Sequence, residues 1–159
     1  MLIFFLSYGI TGVFIMGVPK EFRAGIEEIL TYKPYFEQVK DDQIARRDTE
    51  SAMANEDASP LAPIMYRNPI IGFVEDAYKT DILETNYVDI MKAAANEETL
   101  DLDVFVYGLP QAGYQLTMAV LTCIIRQEQY CQGLWEIATR EKWFLMILNR
   151  LEELMNEED

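Results

Sequence analysis

Apolar side chains recur at helical spacing along most of this chain, and the runs are broken by prolines, asparagines and acidic stretches. Phe22, Ile26, Ile29 and Leu30 fall three or four residues apart, between Pro19, which suits a first helical turn, and Lys33-Pro34, which stops the element. The spacing predicts an amphipathic helix over 20–32. Asn68-Pro69 is a second start signal, a capping side chain before a residue already held at helical φ. Ile70, Phe73, Val74, Ala77 and Tyr78 then supply the buried stripe of a helix over 69–80. Asn86 caps a shorter helix with Tyr87, Ile90, Met91 and Ala94 on one face. From Pro110 to about residue 132 the pattern is apolar nearly all round, through Leu116, Val120, Leu121, Ile124 and Ile125. A helix apolar on every side must be buried on every side. Gly133 closes it, Leu134 to Arg140 forms a short helix, and Trp143, Leu145, Met146, Leu148, Leu151 and Leu154 mark a last amphipathic one.

Two stretches break the helical pattern. Leu102 to Tyr107 is rich in β-branched and aromatic residues and reads as a lone strand before Gly108. Residues 41–63 mix charges, alanine and serine with almost no large apolar side chains, which predicts a mobile polar loop. The pattern as a whole predicts an all-α fold. It is a compact bundle of about five or six helices around a buried central helix, with room for one short isolated strand and no sheet of three or more strands. Leu109 to Ile125 carries no charge, but its solid apolar part is only about twelve residues, the length of a core helix rather than a bilayer span.

Residues 1–18 carry no charge either, and the first ionised side chain is Lys20. Three readings fit this apolar extension: a mis-assigned start, with translation beginning at Met16; an inner-membrane anchor, with Lys20 and Arg23 holding the following domain in the cytoplasm; or a short element packed into the fold. Residues 19–159 then form a single helical domain. At 159 residues, half of them apolar or aromatic, the chain is of the size and composition that folds as one unit.

Charge changes the picture more than composition does. There are 27 acidic residues against 13 basic ones and no histidine, for a formal net charge of −14. A field of that sign repels nucleic acid and anionic head groups, while leaving a basic protein partner compatible. Cys123 and Cys131, eight residues apart on the predicted central helix, are separated by about 12 Å of rise and cannot pair there. Two such thiols read as small buried hydrophobes in a reducing cytoplasm. Without histidine there is no Ser-His-Asp or Cys-His arrangement. Two cysteines on one helix make no ordinary zinc site, and no Gly-rich phosphate loop is present, so neither metal nor cofactor is expected.

One polar cluster stands out. Thr122, Arg126, Gln129 and Tyr130 are spaced i, i+4, i+7 and i+8, a polar stripe on an otherwise apolar helix. An arginine on a core helix must reach water or meet a carboxylate, and Asp76, Asp89 and Glu136 are the charge partners to expect. A buried salt bridge that fixes helix packing is the preferred reading over a ligand site.

The stretch over residues 116–154 resembles the C-terminal signature of a family of small, mainly prokaryotic proteins known only as a domain of unknown function. A Leu-Thr on a buried helix is followed there by an arginine, an aromatic, a glycine and a closing amphipathic helix. Here those positions are Leu121, Thr122, Arg126, Tyr130, Gly133 and the helix through Leu151. Residues 68–83 resemble the family's upstream helix, with Phe73 and Tyr78 at matching places. Gln129 and Tyr130 depart from it, standing where the family pattern has a basic residue and a phenylalanine. The resemblance implies a helical cytoplasmic protein and assigns no chemistry.

Three functional hypotheses follow. The first is a non-enzymatic module that binds another protein, or itself, through an apolar face of Trp135, Trp143 and Phe144. The second is an enzyme or small-anion-binding protein with a pocket around Arg126, and the third an acidic mimic seated on a basic protein surface. A ligand-sized pocket beside Arg126 favours the second, an exposed tryptophan patch the first.

Overall fold

The computed structural model describes residues 2–4, 13–47, 63–95 and 100–157. In chain order, a short antiparallel pair, β1 (Leu2–Phe4) and β2 (Val13–Ile15), precedes helices α1 (Arg23–Leu30) and α2 (Lys33–Gln38). A second antiparallel pair follows, β3 (Ala45–Arg47) with β4 (Ile64–Tyr66), in the register Ala45 to Tyr66, Arg46 to Met65 and Arg47 to Ile64. Six helices complete the described chain: α3 (Asn68–Lys79), α4 (Tyr87–Ala95), α5 (Leu102–Tyr107), α6 (Tyr114–Gln127), α7 (Leu134–Arg140) and α8 (Trp143–Asn156). The fold is all-α with two minimal hairpins, and among the described residues no sheet has more than two strands.

Helix α6 is the centre. Every residue from Leu116 to Ile125 is buried, including Thr117 and Thr122. Their hydroxyls donate to the helix's own carbonyls, Thr117 Oγ1 to Gly113 at 2.8 Å and Thr122 Oγ1 to Met118 at 2.7 Å. This back-bonding gives each hydroxyl's proton an acceptor within the helix itself, so neither needs a tertiary acceptor in the core. Helix α4 lies along α6, and α7, α8 and β2 cover its other sides. A second knot joins α2, α3 and α8, where the rings of Phe36, Phe73 and Phe144 meet pairwise at centroid distances of 5.0, 5.2 and 5.4 Å, each ring at most 1% exposed.

Several local expectations are corrected. Lys33-Pro34 ends the first helix but also opens α2, because proline in a first turn removes a donor that has no partner there anyway. Leu102 to Tyr107 is helix α5, not a strand. Asp101 caps it, its carboxylate accepting from the Asp103 amide at 3.1 Å, and Leu102, Phe105, Val106 and Leu109 recur at i, i+3, i+4 and i+7 toward the core. Among the described residues no strand pairs with it to reward β-branched residues, so the burial pattern overrides propensity. Residues 41–47, assigned to the polar loop, form a 3-10 turn and β3. Ile44, the large apolar side chain of that stretch, is 1% exposed and anchors it, and residues 48–62 lie outside the described residues. The central helix begins at Tyr114 and ends at Gln127, shorter at both ends than the apolar pattern, and Tyr78 at the end of α3 is half exposed rather than buried.

In the N-terminal region, residues 1 and 5–12 lie outside the described residues. The segment that follows is docked on the start of α6. The Ile15 amide donates to Gln115 Oε1 at 3.1 Å, the Tyr114 amide donates to the Met16 carbonyl at 2.8 Å, and Val18 is 2% exposed. Gly113 permits this approach, since a Cβ there would stand 2.9 Å from the Met16 Cα. Among the described residues, no helix is long and apolar enough to cross a membrane.

Phe73→Ala, which empties the middle of the three-ring knot, is expected to cost about 3–5 kcal/mol of unfolding free energy in urea titration. A loss below about 1 kcal/mol would show that the knot is not part of the cooperative core.

Candidate functional site

The site forms where the buried central helix leaves the core. Helix α6 stops at Gln127, and a turn over 128–133 ends at Gly133, whose φ of 98° lets the chain swing into α7. Glu128 organises this corner. Its Oε1 accepts from the Gly133 amide at 2.9 Å and from the Tyr66 hydroxyl at 2.6 Å, and its Oε2 accepts from the Trp135 amide at 2.8 Å. The carboxylate thus satisfies amides that α7 leaves open at its start, where a negative charge is also favoured. Burial, and then the hydrogen bond to Glu128, push the Tyr66 phenol well above its ordinary range, so it stays a donor.

Arg126, one turn above this corner, lines an open cleft of about 300 Å³ with Tyr78, Ile125, Glu128, Gln129 and Trp135. Trp135 is a fixed wall, its indole N–H donating to the Ile125 carbonyl at 3.1 Å and its ring 5.2 Å from that of Tyr66. Tyr78, 51% exposed, stands at the edge. The Arg126 guanidinium lies 5.9 Å from the Tyr87 ring centre, a cation–π contact, and the Tyr87 hydroxyl accepts from Gln127 Nε2 at 3.2 Å. No carboxylate forms an ion pair with Arg126 among the described residues.

The sequence-derived cluster is therefore only partly assembled. Arg126 and Gln129 share the cleft, whereas Thr122 is sealed in the core, where its hydroxyl accepts from the Glu84 amide at 2.9 Å. Tyr130, 78% exposed, belongs to the turn and does not line the cleft, because α6 ends before the stripe is complete. The expected charge partners are engaged elsewhere or turned to solvent. Asp76 accepts from the Tyr32 hydroxyl and lies 3.8 Å from Lys79 Nζ, Glu136 is bridged by Arg47 and Arg140, and Asp89 is exposed. That bond to Asp76, ahead of burial, pushes the Tyr32 phenol up to about 12. Among the described residues the buried salt bridge expected for Arg126 is absent: the residue sits at the helix exit, only partly buried, where its charge escapes full desolvation.

Trp135, Trp143 and Phe144 do not make an exposed face. Phe144 is 0% exposed within the three-ring knot, Trp143 packs partly buried against the core, and Trp135 is the cleft wall. Glu128 is not among the sequence-derived site residues, and Tyr87 enters the sequence reading only as part of a helix stripe; a carboxylate five residues before a glycine that opens a helix is the one signal that could have marked the former. A smaller hollow of about 190 Å³ beside Leu109 and Met146 contains Arg150, but that guanidinium is consumed by the Ala112 carbonyl at 2.8 Å and by Glu153 at 2.9 Å. Of the two thiols, Cys123 is buried and Cys131 lies exposed in the turn after α6, which corrects the placement of both on the central helix.

A family model described as "Family of unknown function (DUF6508)" matches residues 22–157, and the chain belongs to that family. No curated protein and no solved structure matches it.

Arg126→Met is expected to change the unfolding free energy by less than about 1 kcal/mol, the size of one cation–π contact, in chemical denaturation. A loss of about 3–5 kcal/mol would reveal a hidden carboxylate partner. The thiols should separate in reactivity. Burial pushes the Cys123 thiol up to about 11, so a thiol reagent under native conditions should label Cys131 quickly and Cys123 only on unfolding. Equal fast labelling of both would contradict this.

Proposed function

From membership of a family without an assigned activity, we propose that this chain is a binding module for a small anion, seated in the cleft beside Arg126. One observation carries the reading: in a chain of net charge −14, a partly buried arginine lines a hollow and no carboxylate among the described residues pairs with it. Other arginines of the chain do meet acid, Arg47 and Arg140 through Glu136 and Arg150 through Glu153 and Glu157, whereas the partly buried Lys142 donates to the Phe36 carbonyl. A guanidinium held by a ring face keeps its fork of donors for a ligand. The wall of Trp135 and Ile125 supplies the apolar surface that small-molecule sites place around a few polar groups. Binding is favoured over catalysis because Glu128, the carboxylate of the cleft, already accepts three hydrogen bonds in capping α7 and holding Tyr66. The exposed Cys131 thiol suits a reducing compartment, and a cytoplasmic setting goes with the proposal.

Titration calorimetry with 3-phenylpropanoate, a monocarboxylate with a flat apolar body, is expected to give saturable one-site binding. Arg126→Gln should weaken it at least about tenfold, or 1.4 kcal/mol. Equal affinity in the two proteins would remove Arg126 from the site and the proposal with it.

A further inference from the structure

We infer that the occupant of the Arg126 cleft is a free α-amino acid with an apolar or aromatic side chain. This rests on the anion-site reading and adds a second charge to it. Arg126 and Glu128 line the same hollow, yet they form no ion pair with each other. Two opposite charges in one lining, Arg126 against the Tyr87 ring and Glu128 held by its three donors, would offer one pole for a carboxylate and one for an ammonium group.

The Glu128 carboxylate is fixed rather than free to swing to Arg126, because the Gly133 and Trp135 amides and the Tyr66 hydroxyl hold it at 2.9, 2.8 and 2.6 Å. A carboxylate has about four acceptor positions. Three donors occupy Glu128, two on Oε1 and one on Oε2, which leaves a position on Oε2 for an incoming N–H. The Gln129 side-chain carbonyl adds a neutral acceptor to the same lining. The guanidinium fork matches a carboxylate bidentately, and the apolar surfaces of Trp135, Ile125 and Tyr78 are left for the side chain.

Size and field narrow the class further. The cleft of about 300 Å³ lies at the small end for ligand sites. A net charge of −14 opposes every anion that approaches, and a phosphate dianion about twice as strongly as a carboxylate, whereas a zwitterion carries no net charge for that field to repel. A phosphate would also call for more than one cation, and among the described residues Arg126 is the sole cation in this lining.

The test compares three ligands of one shape on the full chain by calorimetry: L-phenylalanine, 3-phenylpropanoate, which lacks the ammonium group, and phenethylamine, which lacks the carboxylate. L-phenylalanine is expected to bind at least about tenfold tighter than either analogue, since a site built to bond an N–H rejects the ligand without it. Arg126→Gln, checked for folding by circular dichroism, should weaken L-phenylalanine and 3-phenylpropanoate alike and leave phenethylamine unchanged. Tyr78→Ala, at an exposed position, should weaken L-phenylalanine more than it weakens glycine. If 3-phenylpropanoate binds as tightly as L-phenylalanine and still depends on Arg126, the ammonium pole does not exist and the inference falls while the anion site stands. If none of the carboxylates binds in an Arg126-dependent way, both fall.

Discussion

The need to bury α6 on all sides governs this molecule. Ten consecutive residues from Leu116 to Ile125 have no solvent-facing side, so the rest of the chain must be wrapped around them. Helix α4 lies along one flank, α7 and α8 along others, and Met16, just after β2, closes the start through its carbonyl. A single uncompensated hydroxyl on such a helix would cost on the order of 1–3 kcal/mol. Thr117 and Thr122 avoid this by bonding to the carbonyls four residues back. The polar residues tolerated inside α6 are therefore those that can satisfy themselves, and a charge can stand only where the helix emerges.

That exit is where structure and candidate chemistry meet. Arg126 is the first residue of α6 after the fully buried run, and Glu128 stands just beyond the last turn. The same carboxylate ends one helix, starts the next and fixes the β4 tyrosine against Trp135. The hollow is thus a product of the corner itself. Where α6 turns through Gly133 into α7, the two helices diverge, and the side chains at the divergence line the space between them. Rigidity at this corner comes from three hydrogen bonds to the partly buried Glu128 carboxylate together with the packing of Tyr66 on Trp135, which suits a site that must keep polar groups in place.

Much of this was legible before any coordinates. The helix over 143–154 and the all-round burial of the central one follow from periodicity, because their stripes are long, while the helix over 69–80 adds the Asn68-Pro69 start signal and the short one over 134–140 is bounded by Gly133. The errors cluster where a local signal competes with tertiary context. Leu102 to Tyr107 has strand propensity but helical spacing, and the spacing prevailed because core burial acts on every turn while propensity is worth tenths of a kcal/mol per residue. Counting in fours puts Tyr130 on the Arg126 face, and it leaves that face because α6 ends at Gln127. Phe144 was taken for surface because an apolar residue beside Trp143 looks like a patch in one dimension. Its partners Phe36 and Phe73 come from helices far away in sequence, a convergence that no single segment reveals.

The meaning of Arg126 turns on the charge balance. In a neutral protein, an arginine at a helix exit is ordinary, since cations suit the negative end of the helix dipole. Here carboxylates outnumber cations by 27 to 13, so a cation in partial burial has many acids available to neutralise it. Arg47, Arg140 and Arg150 are each drawn into such pairs, and Arg126 instead faces a tyrosine ring. Ring contact stabilises a guanidinium while leaving its N–H edge unspent, whereas a carboxylate would occupy that edge. Glu128 is the nearest acid along the chain, and three donors hold it in a cap instead of on the arginine. A corner that anchors its own carboxylate and leaves its own arginine unpaired keeps two opposite charges apart beside one hollow, the polarity that a ligand with two charged ends can complete.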